Sequence, residues 1–255
     1  MEIVGSAALV TGAASGLGAA TAAALAERGA LVYGLDLERA VSEAGPQPDG
    51  VTLLPADVTE EAPVRAALER IDADGAVLRL AVNCAGIAPS ARILGRKGPH
   101  DLDLFHQVLK VNLLGTFNVL RLAAESIARH EPDENGQRGL VVNTASIAAF
   151  EAQIGQIAYA ASKGGIIGMT LPAARDLAAI GVRVNTICPG IIDTPIYGSS
   201  PDSEEFKARL VAPVVFPKRL GRADEFAHLV LSLIGNDYVN AEVIRFDGGI
   251  RFQPK

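Results

Sequence analysis

The side chains with the clearest chemical potential are Tyr159 and Lys163, which stand four residues apart in an alanine-rich segment. Four residues span about one helical turn, so both side chains would project from the same helix face. A phenol has a reference pKa of about 10 and needs a shift of roughly 3 units, or about 4 kcal/mol, to exchange protons near neutral pH. An ammonium group about 4 Å away supplies on the order of 4 kcal/mol at an effective dielectric constant near 20. The pair is therefore a candidate for acid–base chemistry, although a solvated helix face would show the same spacing.

The composition argues against several classes of protein. The chain has 255 residues, 49% of them apolar, which is enough for a large buried core. It contains no tract of roughly 18 apolar residues and no basic leader after Met1, so we expect a cytoplasmic protein that binds no membrane. A net charge of −6 also argues against nucleic acid as a partner. Cys84 and Cys188 have no metal-ligand spacing, so we expect free thiols and no metal.

Short apolar runs alternate with amphipathic stretches of helix length along the whole chain. The runs predicted to be strands are 7–10, 31–35, 51–54, 80–82, 140–143, 182–187 and 243–246. They are apolar at nearly every position, which is typical of parallel strands covered on both faces. No linker or internal repeat divides the chain. We therefore predict a single α/β domain over residues 1–255, a doubly wound, Rossmann-type parallel sheet with helices on both faces.

Two predicted helices bear on the candidate chemistry. A long one follows the loop at 87–100, passes through Asn112 and ends at about His130. The other carries Tyr159 and Lys163. Pro172 should kink or end this second helix, because proline cannot donate the hydrogen bond to the Gly168 carbonyl.

A glycine-rich segment lies between the first strand and the first helix, which is the context of a dinucleotide-binding loop. Gly12 and Gly16 would let the backbone turn tightly beside a pyrophosphate at the helix N-terminus, and Gly18 would let the helix pack closely on the strand. Asp36 ends the next strand, at roughly the 20-residue spacing of a carboxylate that binds ribose hydroxyls and repels a 2′-phosphate. This carboxylate favours NAD over NADP. Arg39 nearby could pair with a 2′-phosphate or be a solvated helix residue.

Two further segments follow predicted strands directly. They are Asp57-Val58 and Asn83-Cys84-Ala85-Gly86. Open α/β sheets bind ligands at the carboxyl ends of their strands, so both segments are candidate cofactor contacts. Turn formation alone would also account for these residues.

Taken together, these motifs resemble those of the short-chain dehydrogenase/reductase family, over a span from about Gly5 to Phe252. The residues that carry the resemblance are Thr11-Gly12-xxx-Gly16-x-Gly18, Asn83-Cys84-Ala85-Gly86, Asn112, Ser146, Tyr159-xxx-Lys163 and Pro189-Gly190. The common family form has Asn where Cys84 stands. Longer runs, including 111–119, 143–150 and 162–175, are similar to the type II 3-hydroxyacyl-CoA dehydrogenases, also known as type 10 17β-hydroxysteroid dehydrogenases. The segments 36–50 and 87–100 match this group less closely.

The resemblance implies a catalytic role for each of four residues. Ser146 would hydrogen-bond the substrate oxygen, and Tyr159 would take the proton from the substrate hydroxyl during oxidation. Lys163 would hold the nicotinamide ribose and lower the pKa of Tyr159, while Asn112 would position a water that continues the proton relay. The hydride passes directly to nicotinamide, so no metal is required. Taken singly, Ser146 could be a helix cap and Asn112 a turn or helix hydrogen-bonder.

The resemblance also assigns binding residues. Those implied for the cofactor are Gly12, Ser15, Gly16, Leu17, Gly18, Asp36, Asp57, Val58, Cys84, Ala85, Gly86, Tyr159, Lys163, Pro189, Gly190, Ile192 and Thr194. Those implied for the substrate are Ser146, Gln153 and Tyr159.

The implied reaction is oxidation of a 3-hydroxyacyl-CoA to a 3-ketoacyl-CoA with NAD, in a homotetramer built partly through the two long helices. A steroid, a sugar or another secondary alcohol is an alternative substrate, because the fold supports many chemistries through loop variation. From another class, the chain could be a nucleotide-binding sensor or an assembly component with idle catalytic residues. Arg92, Arg96 and Lys97 in the loop 87–100 could face the CoA phosphates, or simply be solvated.

Overall fold

The computed structural model describes residues 1–96, 98–194 and 209–254. Its main sheet has seven strands that are parallel throughout, in the order β3-β2-β1-β4-β7-β8-β9. The strands are β1 (Ala7–Thr11), β2 (Leu31–Asp36), β3 (Val51–Pro55), β4 (Leu78–Asn83), β7 (Gly139–Thr144), β8 (Val182–Pro189) and β9 (Val243–Phe246). A separate antiparallel hairpin joins β5 (Leu94–Gly95) to β6 (Gly98–Pro99). All seven predicted strands are confirmed.

Helices follow most of the strands. They are α1 (Gly16–Glu27), α2 (Glu38–Glu43), α3 (Glu61–Ala73), α4 (Leu102–Leu109), α5 (Thr116–Ala128), α6 (Ala148–Glu151), α7 (Ile157–Ala178) and α8 (Ala223–Gly235). A π-helical turn, Lys110–Gly115, joins α4 to α5. Among the residues that the structure describes, no helix is both long enough and apolar enough to cross a membrane.

The sheet is buried on both faces, as its apolar strands predict. In β1, Ala7 and Leu9 pack into a core with α3, α5 and α7, whereas Ala8 and Val10 pack on the opposite face with α1 and α8. Phe226 of α8 is fully buried in that second core. The predicted fold class, a doubly wound parallel sheet with helices on both faces, is therefore confirmed.

The two helices singled out from the sequence differ from expectation. The long helix through Asn112 is present, but a π-helical turn centred on that residue interrupts its α-helical pattern. Of the two outcomes predicted at Pro172, a kink or an end, the end does not occur, since α7 continues to Ala178. Pro172 and Gly168 are both exposed, so water can bind the Gly168 carbonyl that lacks its helical partner.

Arg183 connects the amino end of β8, through hydrogen bonds and an ion pair, to the end of α8 and the segment that follows it. Its side chain is 7% exposed. The guanidinium Nη1 donates to the carbonyls of Leu233, Asn236 and Val239 at 3.0, 3.2 and 2.9 Å. Nη2 lies 3.3 Å from Asp237 Oδ1. This network stabilises the end of the sheet opposite the carboxyl ends of the strands.

Candidate active site

A cavity of about 610 Å³ opens at the carboxyl ends of the parallel strands. The strand order reverses between β1 and β4, and open α/β sheets bind ligands beside such a reversal. Every residue implied for the cofactor lines this cavity, from Asp36 at one end to Tyr159 and Lys163 at the other. Its volume is within the usual range for a small-molecule site.

The glycine loop is packed so tightly that side chains would not fit. Gly12 has a φ of +67°, and a Cβ there would lie 2.9 Å from the Ala85 nitrogen. A Cβ on Gly18 would overlap the Gly12 carbonyl. Gly16, with a φ of +56°, begins α1, whose N-terminus therefore faces the cavity. This cradle of backbone groups fits the pyrophosphate of a dinucleotide.

Thr11 holds the loop after β4 in place, a role that the sequence motif alone did not reveal. Its hydroxyl oxygen accepts hydrogen bonds from the backbone N–H groups of Cys84 and Ala85, both at 3.1 Å. The last residue of β1 therefore positions the backbone that faces the middle of the cavity.

Asp36 lies at the far end of the cavity, at the end of β2. Its Oδ2 accepts from the Ala14 N–H at 3.0 Å and its Oδ1 from the Leu37 N–H at 2.9 Å. Both bonds fix the carboxylate toward the glycine loop, as an adenosine-ribose ligand requires. Arg39 instead pairs with Glu43, with Nε 2.7 Å from Oε1.

Asp57 and Val58 line the cavity next to this end. The Asp57 carboxylate also accepts from the Thr59 N–H at 2.9 Å, so it forms the local turn that its residue type predicted. Asp57 can therefore form this turn and still line the cavity together with Val58.

Three of the four candidate catalytic side chains meet at the other end of the cavity. Ser146 follows β7; its hydroxyl accepts from the Ala148 N–H at 3.1 Å and acts on the Tyr159 phenol, whose pKa it lowers. Lys163 lies one turn after Tyr159 on α7, with Nζ 5.7 Å from the phenol ring centroid. Its ammonium group donates to the Thr144 carbonyl at 2.8 Å. Thr144 was not identified from the sequence.

Burial dominates the electrostatics of this end. It raises the pKa of Tyr159, while the hydrogen bond with Ser146 acts in the opposite direction. It also lowers the pKa of Lys163 to about 8. Lys163 therefore stays mostly protonated at pH 7, but the expected lowering of the Tyr159 pKa is not seen. The spacing argument had omitted the desolvation of the phenol.

Asn112, the fourth candidate, is fully buried behind the cavity wall rather than on it. Its amide donates to the Ile87 carbonyl at 2.9 Å and accepts from the Ile87 N–H at 2.8 Å. It also donates to the Ser162 hydroxyl at 3.0 Å, and that hydroxyl donates to the Tyr159 carbonyl at 2.7 Å. The π-helical turn thus connects the end of β4 with the helix that carries Tyr159.

The loop after β8 closes the cavity with Pro189, Gly190, Ile192 and Thr194. A Cβ on Gly190 would lie 2.8 Å from the Asp247 Cβ, so only glycine fits without displacement. Ile192 forms a parallel bridge with Gly221.

The remaining candidate residues lie outside the cavity lining. Gln153 donates to the Gln253 carbonyl at 3.4 Å and so contacts the C-terminal segment. Arg92 and Arg96 are exposed and form no ion pair with any residue that the structure describes. Lys97 lies outside the described residues.

The cavity lining includes further residues that the sequence did not single out. They are Leu35, Leu37, Ala56, Ile87, Ala88, Gln107, Val111, Thr144 and Ala145. Most stand next to a motif residue, which is the only signal that could have found them. Within the described ranges, no group of three or more His, Cys, Asp or Glu side chains could hold a metal ion.

The chain is similar over nearly its whole length to known oxidoreductases. A family model described as enoyl-(acyl carrier protein) reductase matches residues 12–251. The 3-hydroxyacyl-CoA dehydrogenase type-2 of Homo sapiens is 51% identical over 257 residues, covering 99% of this chain and 98% of that protein. The Bos taurus protein of the same name is 50% identical with the same coverage. A crystal structure of 3-hydroxyacyl-CoA dehydrogenase type-2 from Mycobacterium avium has a TM-score of 0.88 and 44% identity, covering 98% of each chain.

The burial of Lys163 predicts that the stability of the protein depends on pH. The folded-state pKa of about 8 lies below the ordinary 10.5, so the unfolded state binds more protons between those values. Stability should therefore rise with pH from 8 to 10.5, and the full penalty applies below pH 8. We expect the free energy of unfolding of the wild type, measured in urea, to rise between pH 8 and pH 10.5, and that of Lys163→Met to lack this rise, because methionine does not titrate.

The matched control is Lys218→Met, because Lys218 is exposed and also donates to a carbonyl, that of Ala212. We expect this control to keep the rise in stability between pH 8 and pH 10.5. A Lys163→Met variant with the same rise as the wild type would contradict the lowered pKa of Lys163.

Proposed function

Because the chain belongs to the short-chain dehydrogenase/reductase family, we propose that it oxidises 3-hydroxyacyl-CoA to 3-ketoacyl-CoA with NAD. Membership of this family makes it an oxidoreductase that uses a nicotinamide cofactor on a small-molecule substrate. The observation that carries the proposal is one cavity with a dinucleotide cradle at one end and Ser146, Tyr159 and a buried lysine together at the other. The names of the similar proteins favour the acyl-CoA substrate over a steroid, sugar or simple alcohol.

In the proposed mechanism, bound NAD supplies the hydride acceptor. The Ser146 hydroxyl donates a hydrogen bond to the substrate oxygen and orients the carbinol carbon. Tyr159 takes the proton from the substrate hydroxyl, and the positive charge of Lys163 stabilises the phenolate form. Asn112 lies too deep to touch the substrate, so we assign it to positioning the water that passes the proton on from Lys163.

The groups at the far end of the cavity support NAD rather than NADP as the cofactor. The Asp36 carboxylate would repel a 2′-phosphate and accept hydrogen bonds from ribose hydroxyls. Arg39, the residue that could have favoured NADP, is paired with Glu43 and 86% exposed.

We also propose a homotetramer. Leu114 and Phe117, at the start of the helix after Asn112, are 57% and 48% exposed, and Leu171 on α7 is 44% exposed. Apolar side chains on these two helices would be covered by neighbouring subunits. A cytoplasmic location and a single domain over residues 1–255 stay predictions from the sequence.

The reaction is tested by following NADH absorbance with acetoacetyl-CoA in the reducing direction, beside a steroid ketone and a simple ketone. Turnover mainly with the CoA ester would support the proposal. Turnover with a CoA-free ketone alone would reject the substrate but keep the cofactor and the reaction type. Single-turnover NAD reduction that fails with every alcohol would favour the sensor alternative.

Tyr159→Phe should abolish turnover, because the substituted ring retains its shape but cannot exchange a proton. Loss of a general acid–base group lowers the rate by about 100-fold to 10,000-fold. The dissociation constant for NADH, measured by fluorescence, should stay nearly unchanged. Tyr238→Phe is the control, since Tyr238 is 100% exposed. Retained activity in Tyr159→Phe would remove this residue from the proton transfer.

Asp36→Ala should narrow the preference for NAD over NADP, because the variant no longer repels the 2′-phosphate. The measurement is the ratio of kcat/KM for the two cofactors, with Asp49→Ala, a change in an exposed loop, as the control. An unchanged ratio in Asp36→Ala would contradict the role assigned to this carboxylate.

Arg92 and Arg96 are exposed and pair with no carboxylate in the described part of the chain, which supports a phosphate-facing patch for CoA. We expect the double change to alanine to raise KM for the acyl-CoA, because the phosphates lose two cations, and to leave KM for a neutral alcohol unchanged. Equal effects on both substrates would instead mean that the loop is merely solvated.

A further inference from the structure

Arg245 lies on β9 at the edge of the candidate active site and joins three separate segments. Its Nη2 donates to Glu151 Oε1 at 2.6 Å, and its Nε donates to Asp247 Oδ2 at 2.7 Å. Nη2 also donates to the Ile250 carbonyl at 3.0 Å, and the guanidinium lies 5.3 Å from the Phe150 ring centroid. The side chain is only 24% exposed.

The first of these contacts reaches the segment that presents Ser146. Glu151 ends α6, a helix of one turn that begins two residues after Ser146. Its N–H donates to the Ile147 carbonyl at 3.1 Å, and the Ala148 N–H donates to the Ser146 hydroxyl at 3.1 Å. A shift of Glu151 would therefore move the backbone that aims the Ser146 hydroxyl at the Tyr159 phenol.

The second contact reaches the neighbouring segment of the cavity lining, which follows β8. The Asp247 side chain is 8% exposed and abuts Gly190, whose N–H donates to the Phe246 carbonyl at 2.8 Å. The Pro189 carbonyl accepts from the Ile147 N–H at 3.1 Å. Arg245 thus connects the segment that carries Ser146 with the segment that carries Gly190, from a position outside the cavity lining.

We propose that Arg245 is a positioning residue for the reaction, which acts through Glu151 and Asp247 to hold the Ser146 hydroxyl and the Pro189–Gly190 turn in their working geometry. The inference rests on the proposed function of Ser146 and Tyr159. It adds a requirement outside the four candidate catalytic residues, since Arg245 does not line the cavity.

The charges explain why the bridge needs a cation at this point. Without Arg245, two largely buried carboxylates would face each other across the gap between α6 and the end of β9. Arg251 cannot replace it well, because it is 59% exposed and lies 4.0 Å from Glu151 and 3.4 Å from Asp247. The remaining titratable group facing Arg245 is the Cys188 thiol, opposite it on β8, and burial raises the pKa of that thiol to about 11.

The test compares Arg245→Met, Arg245→Lys and the double variant Arg245→Met/Glu151→Gln, using NADH and acetoacetyl-CoA. Misplacement of a reacting group by about 1 Å lowers rates by up to about 100-fold, so we expect kcat of Arg245→Met to fall roughly 10-fold to 100-fold. The dissociation constant for NADH should change less than kcat does, because the glycine-loop cradle is untouched and only the Pro189–Gly190 part of the cofactor site depends on Arg245. The double variant should recover part of kcat, since it removes one of the two opposed carboxylates, and Arg245→Lys should be intermediate.

The matched control is Arg183→Met. Arg183 is also a buried arginine bound to several carbonyls and a carboxylate, but it lies six residues along β8 from Pro189, about 20 Å from the site. Arg183→Met should lower the melting temperature and leave kcat of the folded enzyme unchanged. A purely structural role for Arg245 would give the same pattern and overturn the proposal.

If Arg245→Met does not fold, Glu151→Ala tests the positioning role instead. This change removes the contact between Arg245 and α6 and leaves the contact between Arg245 and Asp247 in place. A kcat lowered by about threefold or more, with NADH affinity retained, supports the positioning role, and a kcat within twofold of the wild type rejects it. Similarly, a double variant no more active than Arg245→Met would exclude the opposed carboxylates as the cause. A wild type inactive with every substrate would reject the proposed function itself, and the positioning role with it.

Discussion

The hydrogen bond from the buried Lys163 ammonium to the Thr144 carbonyl is the interaction on which the site depends most. A buried ammonium is unfavourable unless a fixed acceptor stabilises it. Thr144 supplies that acceptor from the end of β7, a strand paired on both sides in the middle of the sheet. Because this carbonyl cannot move without breaking the sheet, it fixes the position of α7 above the strand ends. Tyr159, one turn earlier on α7, is fixed with it.

A second constraint acts on the backbone after β4, which is held from two sides. Thr11 accepts from two of its N–H groups, and the Asn112 amide binds both the N–H and the carbonyl of Ile87. Gly12 lies so close to Ala85 that no side chain fits between them. The middle of the cavity is therefore a rigid backbone surface. A rigid surface of this kind can hold an extended cofactor that contacts Asp36 at one end and Lys163 at the other at the same time.

Local patterns predicted the strands, the fold class and the residues around the cavity, because each depends on apolar runs and on motifs that directly follow a strand. The contacts that complete the site were not predictable in this way. Thr144 matters through its backbone carbonyl, which has no residue signature, and the π-helical turn depends on the contact of Asn112 with Ile87 rather than on local propensity. Pro172 does not end α7, because it and Gly168 are exposed and water can bind the carbonyl that lacks its helical partner.

The raised pKa of Tyr159 changes the electrostatic account suggested by the spacing with Lys163. At the observed 5.7 Å from the ring centroid, a single ammonium supplies about 3 kcal/mol at an effective dielectric constant near 20. That is less than the roughly 4 kcal/mol needed to bring a solvated phenol to neutrality, and burial increases the requirement further. Lys163 therefore shares the stabilisation of the phenolate with the Ser146 hydroxyl, which also lowers the pKa of Tyr159. In the proposed reaction, the positive charge of an oxidised nicotinamide ring would add to both. Proton removal by Tyr159 would then be more favourable with the oxidised cofactor bound than without it.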